Sequence, residues 1–145
     1  MFNTIALPVS MWDMRETEPI SFYEIIKHEL THIEQFKRLG FGNVYLGSIV
    51  QGFLYVFIPL PMGFAKFRYK FESEAYINSF RAICQWIKEN PDSGSYDIDL
   101  IRSKMIYSTY VHMTTGDYGF AMNFCKQWVN DDLMKRFNQV KYEDI

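Results

Sequence analysis

The sequence predicts a mainly α fold, α+β at most, in a single small domain spanning residues 1–145. Three observations carry this. Apolar residues recur at three- and four-residue intervals along several long segments, the period of a helix with one buried face. Those segments are bounded by Ser, Asp, Gly and Asn-Pro, residues that start and stop helices. Apolar residues at every second position, a strand signal, are confined to the first dozen positions, where the alternation is imperfect. With 48% hydrophobic and 18% aromatic residues the chain has the material for a packed core, which argues against disorder.

Taken in order, Met1–Trp12 places Ile5, Leu7, Val9 and Met11 at every second position. This predicts a strand, and Pro8 confines it to a sheet edge. Such an edge could template an extended peptide or simply pack on the core. Asp13–Pro19 is polar and reads as a loop. Ser21 and Glu24 fit a capping box, so a helix is predicted over Phe22–Leu39, with Gly40 ending it. Phe41–Ala65 is the most apolar region. Its uninterrupted run is shorter than the roughly 20 residues a bilayer requires, so a buried helix covering the first is expected, stopping before Pro59-Leu60-Pro61.

The next periodic segment starts at Phe71, runs through Ala75, Ile77, Phe80, Ile83 and Cys84 to Ile87, and is closed by Asn90-Pro91. Two carboxylates, Glu72 and Glu74, stand at its predicted start. A third helix is expected from Ile98 to about His112, with Asp97 as N-cap and Leu100, Ile101, Met105, Ile106 and Tyr110 as apolar positions. A fourth is expected over Tyr118–Phe137, with Phe120, Phe124, Trp128, Leu133 and Phe137 facing inward.

Composition excludes some function classes. A net charge of −2, with Lys and Arg dispersed, argues against phosphate-backbone binding and so against a nucleic-acid partner. Cys84 and Cys125 are too few for a disulfide framework and are not in CxxC spacing, so two buried thiols are expected. No basic segment followed by an apolar run opens the chain, so a cytoplasmic location is expected and membrane contact is not.

The chemistry concentrates in His28-Glu29-Leu30-Thr31-His32, inside the first predicted helix. Four residues are slightly more than one turn, so His28 and His32 project from nearly one face and can share one metal ion. Glu29 is turned about 100° away. It can miss the metal yet reach a water there as general base. Two of the three histidines of the chain fall in this motif, which a polar surface helix would not require. A catalytic His₂Glu zinc site needs a third protein ligand and leaves a fourth position for water. Glu72 and Glu74 are the candidates, although acids also suit a helix start for dipole reasons. Gln35, seven residues after His28, shares its face and could orient a ligand.

Together, His28-Glu29-x-x-His32 and Glu72-x-Glu74-Ala75 resemble the gluzincin clan of zinc metallopeptidases, most closely its very small minigluzincin-like members, some of them phage proteins. Their active-site helix often reads H-E-x-x-H-x-x-Q, matched here through Gln35. Their glutamate helix often carries E-x-E-A or E-x-x-A, with the first Glu on the metal. The likeness covers about Ser21 to Ile87. It implies one Zn²⁺ held by His28, His32 and Glu72, with Glu74 and Gln35 behind them as support or, for Glu74, as the alternative ligand. It implies peptide-bond hydrolysis by zinc-bound water with Glu29 as base. Larger gluzincins add a His or Tyr that steadies the oxyanion, which makes His112, Tyr107 and Tyr110 candidates. The partner would be a peptide or protein substrate. The alternative is a structural or assembly protein, for example a virion component, that retains the site without catalysis.

Overall fold

The computed structural model describes residues 5, 7–56, 61–114 and 126–145. It is mainly helical, with no strand among the described residues. The helices are α1 (Val9–Thr17), α2 (Pro19–Leu39), α3 (Val44–Val56), α4 (Pro61–Glu89), α5 (Ile98–Thr114) and α6 (Lys126–Asn138). Short 3₁₀ turns follow α4 at Pro91–Ser93 and α6 at Tyr142–Asp144.

The predicted N-terminal strand is corrected. Residues 9–12 belong to α1, and Pro8, at φ −55° and ψ 149°, is its N-cap. The alternation of apolar residues here is short, and proline just ahead of the first turn costs no hydrogen bond. Trp12 fixes α1 to α2 by an edge contact with Phe22, ring centroids 5.7 Å apart, and Arg15 lies over the indole. The Asp13–Pro19 loop is reduced to a kink at Glu18. The capping box is not used either: α2 begins at Pro19, and Ser21 already lies within the helix.

Two other boundaries move. α4 begins at Pro61 rather than Phe71. Glu72 and Glu74 therefore sit about three turns inside a helix, where attraction to its N-terminal dipole no longer explains them. The predicted last helix is described only from Lys126. Its positions Phe120 and Phe124 lie outside the described residues, as does Cys125. Asp97 does cap α5, its Oδ1 accepting from the amides of Asp99 and Leu100 at 3.0 Å each.

The main core lies between α4, α5 and α6. Phe80, Ile83, Cys84, Met105, Met113, Val129, Leu133 and Phe137 form it, with Tyr69, Ile77, Ile87 and Val140 around them. Leu100 and Trp128, expected inward, are half exposed. Cys84 is a free, buried thiol whose pKa burial raises.

The α2–α4 contact has a different character. Ser79 donates to the Glu24 carbonyl at 3.2 Å, and Gln35 donates to the Phe71 carbonyl at 2.9 Å. Early residues of α2 thus lie opposite late residues of α4, so the two run antiparallel. Small buried residues on α4, Ser73, Ala75 and Ser79, allow close approach. The buried residues of α2 are both polar, Thr31 and Gln35. A polar residue with no exposure needs a specific partner, and Gln35 finds its partners in the site.

Candidate metal centre

Two helices build the centre. α2 projects His28 and His32 from one face, as an i, i+4 pair must. α4 lies across them and brings Glu72. The Nε2 atoms of the two imidazoles are 3.1 Å apart. Glu72 Oε2 lies 3.5 Å from His28 Nε2 and 3.7 Å from His32 Nε2. Each of the three side chains is at most 17% exposed.

Gln35 decides the tautomer of His32. Its amide nitrogen is used twice, donating to the Phe71 carbonyl at 2.9 Å and to Glu74 Oε2 at 3.2 Å. Its oxygen is therefore the acceptor facing His32 Nδ1 at 2.9 Å. The proton of a neutral His32 sits on Nδ1, and the lone pair on Nε2 points at His28 and Glu72. This amide orientation follows from the hydrogen-bond network.

That arrangement tests the fit to a metal. Two imidazole nitrogens and a carboxylate oxygen converge within 4.8 Å of one another. Lone pairs so close repel unless a metal ion or a shared proton stands between them. Ligands about 2.0–2.1 Å from a tetrahedral zinc lie roughly 3.3 Å apart. The observed separations of 3.1, 3.5 and 3.7 Å straddle that value. The donor set, two nitrogens and one oxygen, is one that zinc accepts.

Electrostatics agree with a site built for positive charge. Burial works against the Glu72 carboxylate, yet the hydrogen bonds and charges of His28 and His32 outweigh it and hold its pKa well below the usual range. Burial also opposes protonation of His32, but Glu72, Gln35 and Glu29 together raise its pKa. Glu24, one turn before His28, is pushed up chiefly by burial, with His28 opposing.

The remaining residues singled out from the sequence fall at different distances. Glu29 is exposed, close enough to His32 to act on its charge. Glu74 is not at the imidazoles. Arg38 holds it in a two-pronged contact of 2.8 and 2.9 Å, and that pairing outweighs burial to lower its pKa. Beyond it opens a cleft of about 640 Å³ that Arg38, Lys70, Glu74, Arg81 and Arg136 help line. His112 brings Nε2 to 4.0 Å from Glu72 Oε2 and is 45% exposed. Tyr107 is 70% exposed, and Tyr110 packs on the hydrophobic core.

One residue was missed. Tyr76 lies edge-on to His28 with centroids 4.6 Å apart, and 6.0 Å from the His112 ring. The signal was available, because Tyr76 follows Glu72 by four residues and so shares its face.

Comparison with protein-family models finds no match, and neither do comparisons with curated proteins and with solved structures.

Proposed function

We propose that this chain is a zinc-dependent peptidase of gluzincin type, with His28, His32 and Glu72 as metal ligands and Glu29 as general base. One observation carries the proposal: the convergence of two imidazole nitrogens and one carboxylate oxygen, 3.1–3.7 Å apart, with Glu29 one residue beyond the first histidine. When bound there, zinc supplies Lewis acidity, lowering the pKa of water toward about 7 and polarising a carbonyl. The chain's own groups do the rest. Glu29 accepts a proton on its carboxylate and returns it to the departing amine. Gln35 keeps His32 in the tautomer that presents Nε2. Glu74, gripped by Arg38, keeps Gln35 in place. Tyr76 and His112 flank the triad, where a phenol or imidazole N–H can steady negative charge on the substrate oxygen.

The test compares the wild type with Glu29→Gln. Both should retain zinc on purification, while peptide cleavage by the variant should fall about 10²–10⁴-fold, the usual worth of a general base. Equal cleavage by both would reject the role of Glu29. Failure of the wild type to hold zinc would reject the site.

A second reading rests on His112. Structural zinc sites are closed by four protein ligands, and His112 Nε2 is 4.0 Å from the Glu72 carboxylate. If it completes the set, the metal braces α2, α4 and α5, and the chain is a structural or assembly protein. His112→Ala then loses zinc. Under the peptidase reading it keeps zinc.

A further inference from the structure

We propose that α3 forms a docking surface for an anionic lipid bilayer, lying in its interface without crossing it. The starting point is the direction in which α3 faces. Helical geometry puts Tyr45, Leu46, Ile49, Gly52 and Phe53 on one arc of roughly 120°. That arc is the exposed one. Ile49 is 69%, Phe53 57%, Tyr45 49% and Leu46 46% exposed, and Phe41 just before the helix is 96% exposed. The opposite side packs on the protein through buried Val44 and Gly47. The two polar side chains of α3, Ser48 and Gln51, lie off the exposed arc, and Gln51 Oε1 is buried. A helix at a water boundary turns its polar residues out. This one has the reverse polarity.

Charge says what covers the surface. Residues 39–65 contain no Asp, Glu, Lys, Arg or His. Lys37 and Arg38 precede this stretch, and Lys66, Arg68 and Lys70 follow it. Over residues 35–71, five of the fifteen Lys and Arg occur and none of the seventeen Asp and Glu, leaving ten against seventeen elsewhere. Arg38 is paired with Glu74, which leaves Lys37 on one side and Lys66, Arg68 and Lys70 on the other as the cationic sequence flanks of the apolar stretch. Such flanks on an otherwise acidic chain match an apolar interior beneath anionic headgroups. A second copy fits less well. A two-fold contact is made by the same patch from both partners, so it would set these cations against themselves. Among the described residues no helix is long and apolar enough to cross a membrane, which limits the contact to the interface.

Vesicle flotation tests this with the full chain. Phosphatidylcholine vesicles containing phosphatidylglycerol should carry the protein at low salt, and pure phosphatidylcholine vesicles should carry at least tenfold less. Ile49→Asp with Phe53→Asp should weaken flotation at least tenfold. Lys37→Glu with Lys66→Glu should weaken it and reduce its salt dependence. Circular dichroism and zinc content should stay at wild-type values in all variants, which separates this result from the fate of the metal site. No flotation with either lipid would overturn the proposal, as would flotation indifferent to the variants. So would sedimentation showing a dimer that Ile49→Asp with Phe53→Asp dissolves while flotation is unchanged.

Discussion

At the scale of single residues, Gln35 does the work of three contacts with one amide. Oxygen and nitrogen are both committed, to His32 on one side and to Phe71 and Glu74 on the other. Replacing it by Leu removes the tautomer control and leaves the Phe71 carbonyl without this donor. Supporting groups of this kind typically are worth 10–100-fold in metal affinity, and Gln35→Leu should weaken zinc binding by about that factor in a competition titration with a chelating dye. Gln35→Glu should not rescue it, because a carboxylate cannot donate to Phe71 and repels Glu74. Affinity unchanged in both variants would mean that His32 is oriented by packing alone. A second residue-scale cluster lies one turn before Glu72 on α4. Buried Tyr69 donates to Asp132, which also pairs with Arg136. Burial opposes ionisation of Asp132, but these partners outweigh it and lower its pKa. A depressed carboxylate contributes stability above its unfolded value, near 3.8, and loses it as pH falls through the folded value. Asp132→Asn should therefore cost on the order of 1 kcal/mol in urea melts at pH 7, with the gap to wild type closing as pH falls below the unfolded value. A gap independent of pH would show that the charge contributes nothing.

At the scale of elements, α2 and α3 cross where neither can carry a side chain. A Cβ on Gly47 would stand 1.7 Å from the Phe36 carbonyl oxygen, and one on Gly40 would stand 1.9 Å from the Asn43 carbonyl oxygen. Both obstacles are backbone, so nothing can swing aside. Gly52, also in α3, would meet nothing within 4 Å. Gly47→Ala should thus cost about 1–3 kcal/mol or displace α3, as overpacking does, whereas Gly52→Ala should stabilise by about 0.5–1 kcal/mol. Urea denaturation of the two variants gives opposite signs if the crossing is as described. The pair also marks where the sequence could be read and where it could not. The four-residue spacing of His28 and His32 reads directly, because helix geometry fixes it without help from the rest of the fold. Glu72 and Glu74 could not be separated by spacing, since only the packing of α4 on α2 decides which faces the imidazoles. α1 was misread because four alternating residues satisfy a strand while Pro8 equally suits a helix start. α3 was rightly apolar but wrongly buried, since periodicity shows that a face exists and says nothing about what covers it.

At the scale of the whole molecule, a metal in this centre would act as a cross-link. His28 and His32 stand on α2 and Glu72 on α4, separated by 40 residues of sequence that include the charge-free stretch 39–65. Fastening these helices together opposes unfolding of the α2–α4 contact, whose buried residues on α2 are polar where the core of α4, α5 and α6 is apolar. Without metal the three lone pairs must be relieved by protons or by separation, so this contact should loosen. A ligand bound to the folded state alone stabilises it by about 2.7 kcal/mol at one hundred times its Kd. For a domain of this length that corresponds to a rise of several degrees in Tm. Zinc added to chelator-treated protein should therefore raise Tm by this amount in differential scanning calorimetry. His32→Ala should abolish the rise, and Glu74→Ala should retain most of it because Glu74 bonds Arg38 and Gln35 rather than the imidazoles. Amide exchange gives the location: protection gained with zinc should concentrate in residues 24–38 and 71–79, where α2 and α4 touch. A zinc-dependent rise that survives in His32→Ala would place the metal elsewhere and remove the basis for the peptidase reading.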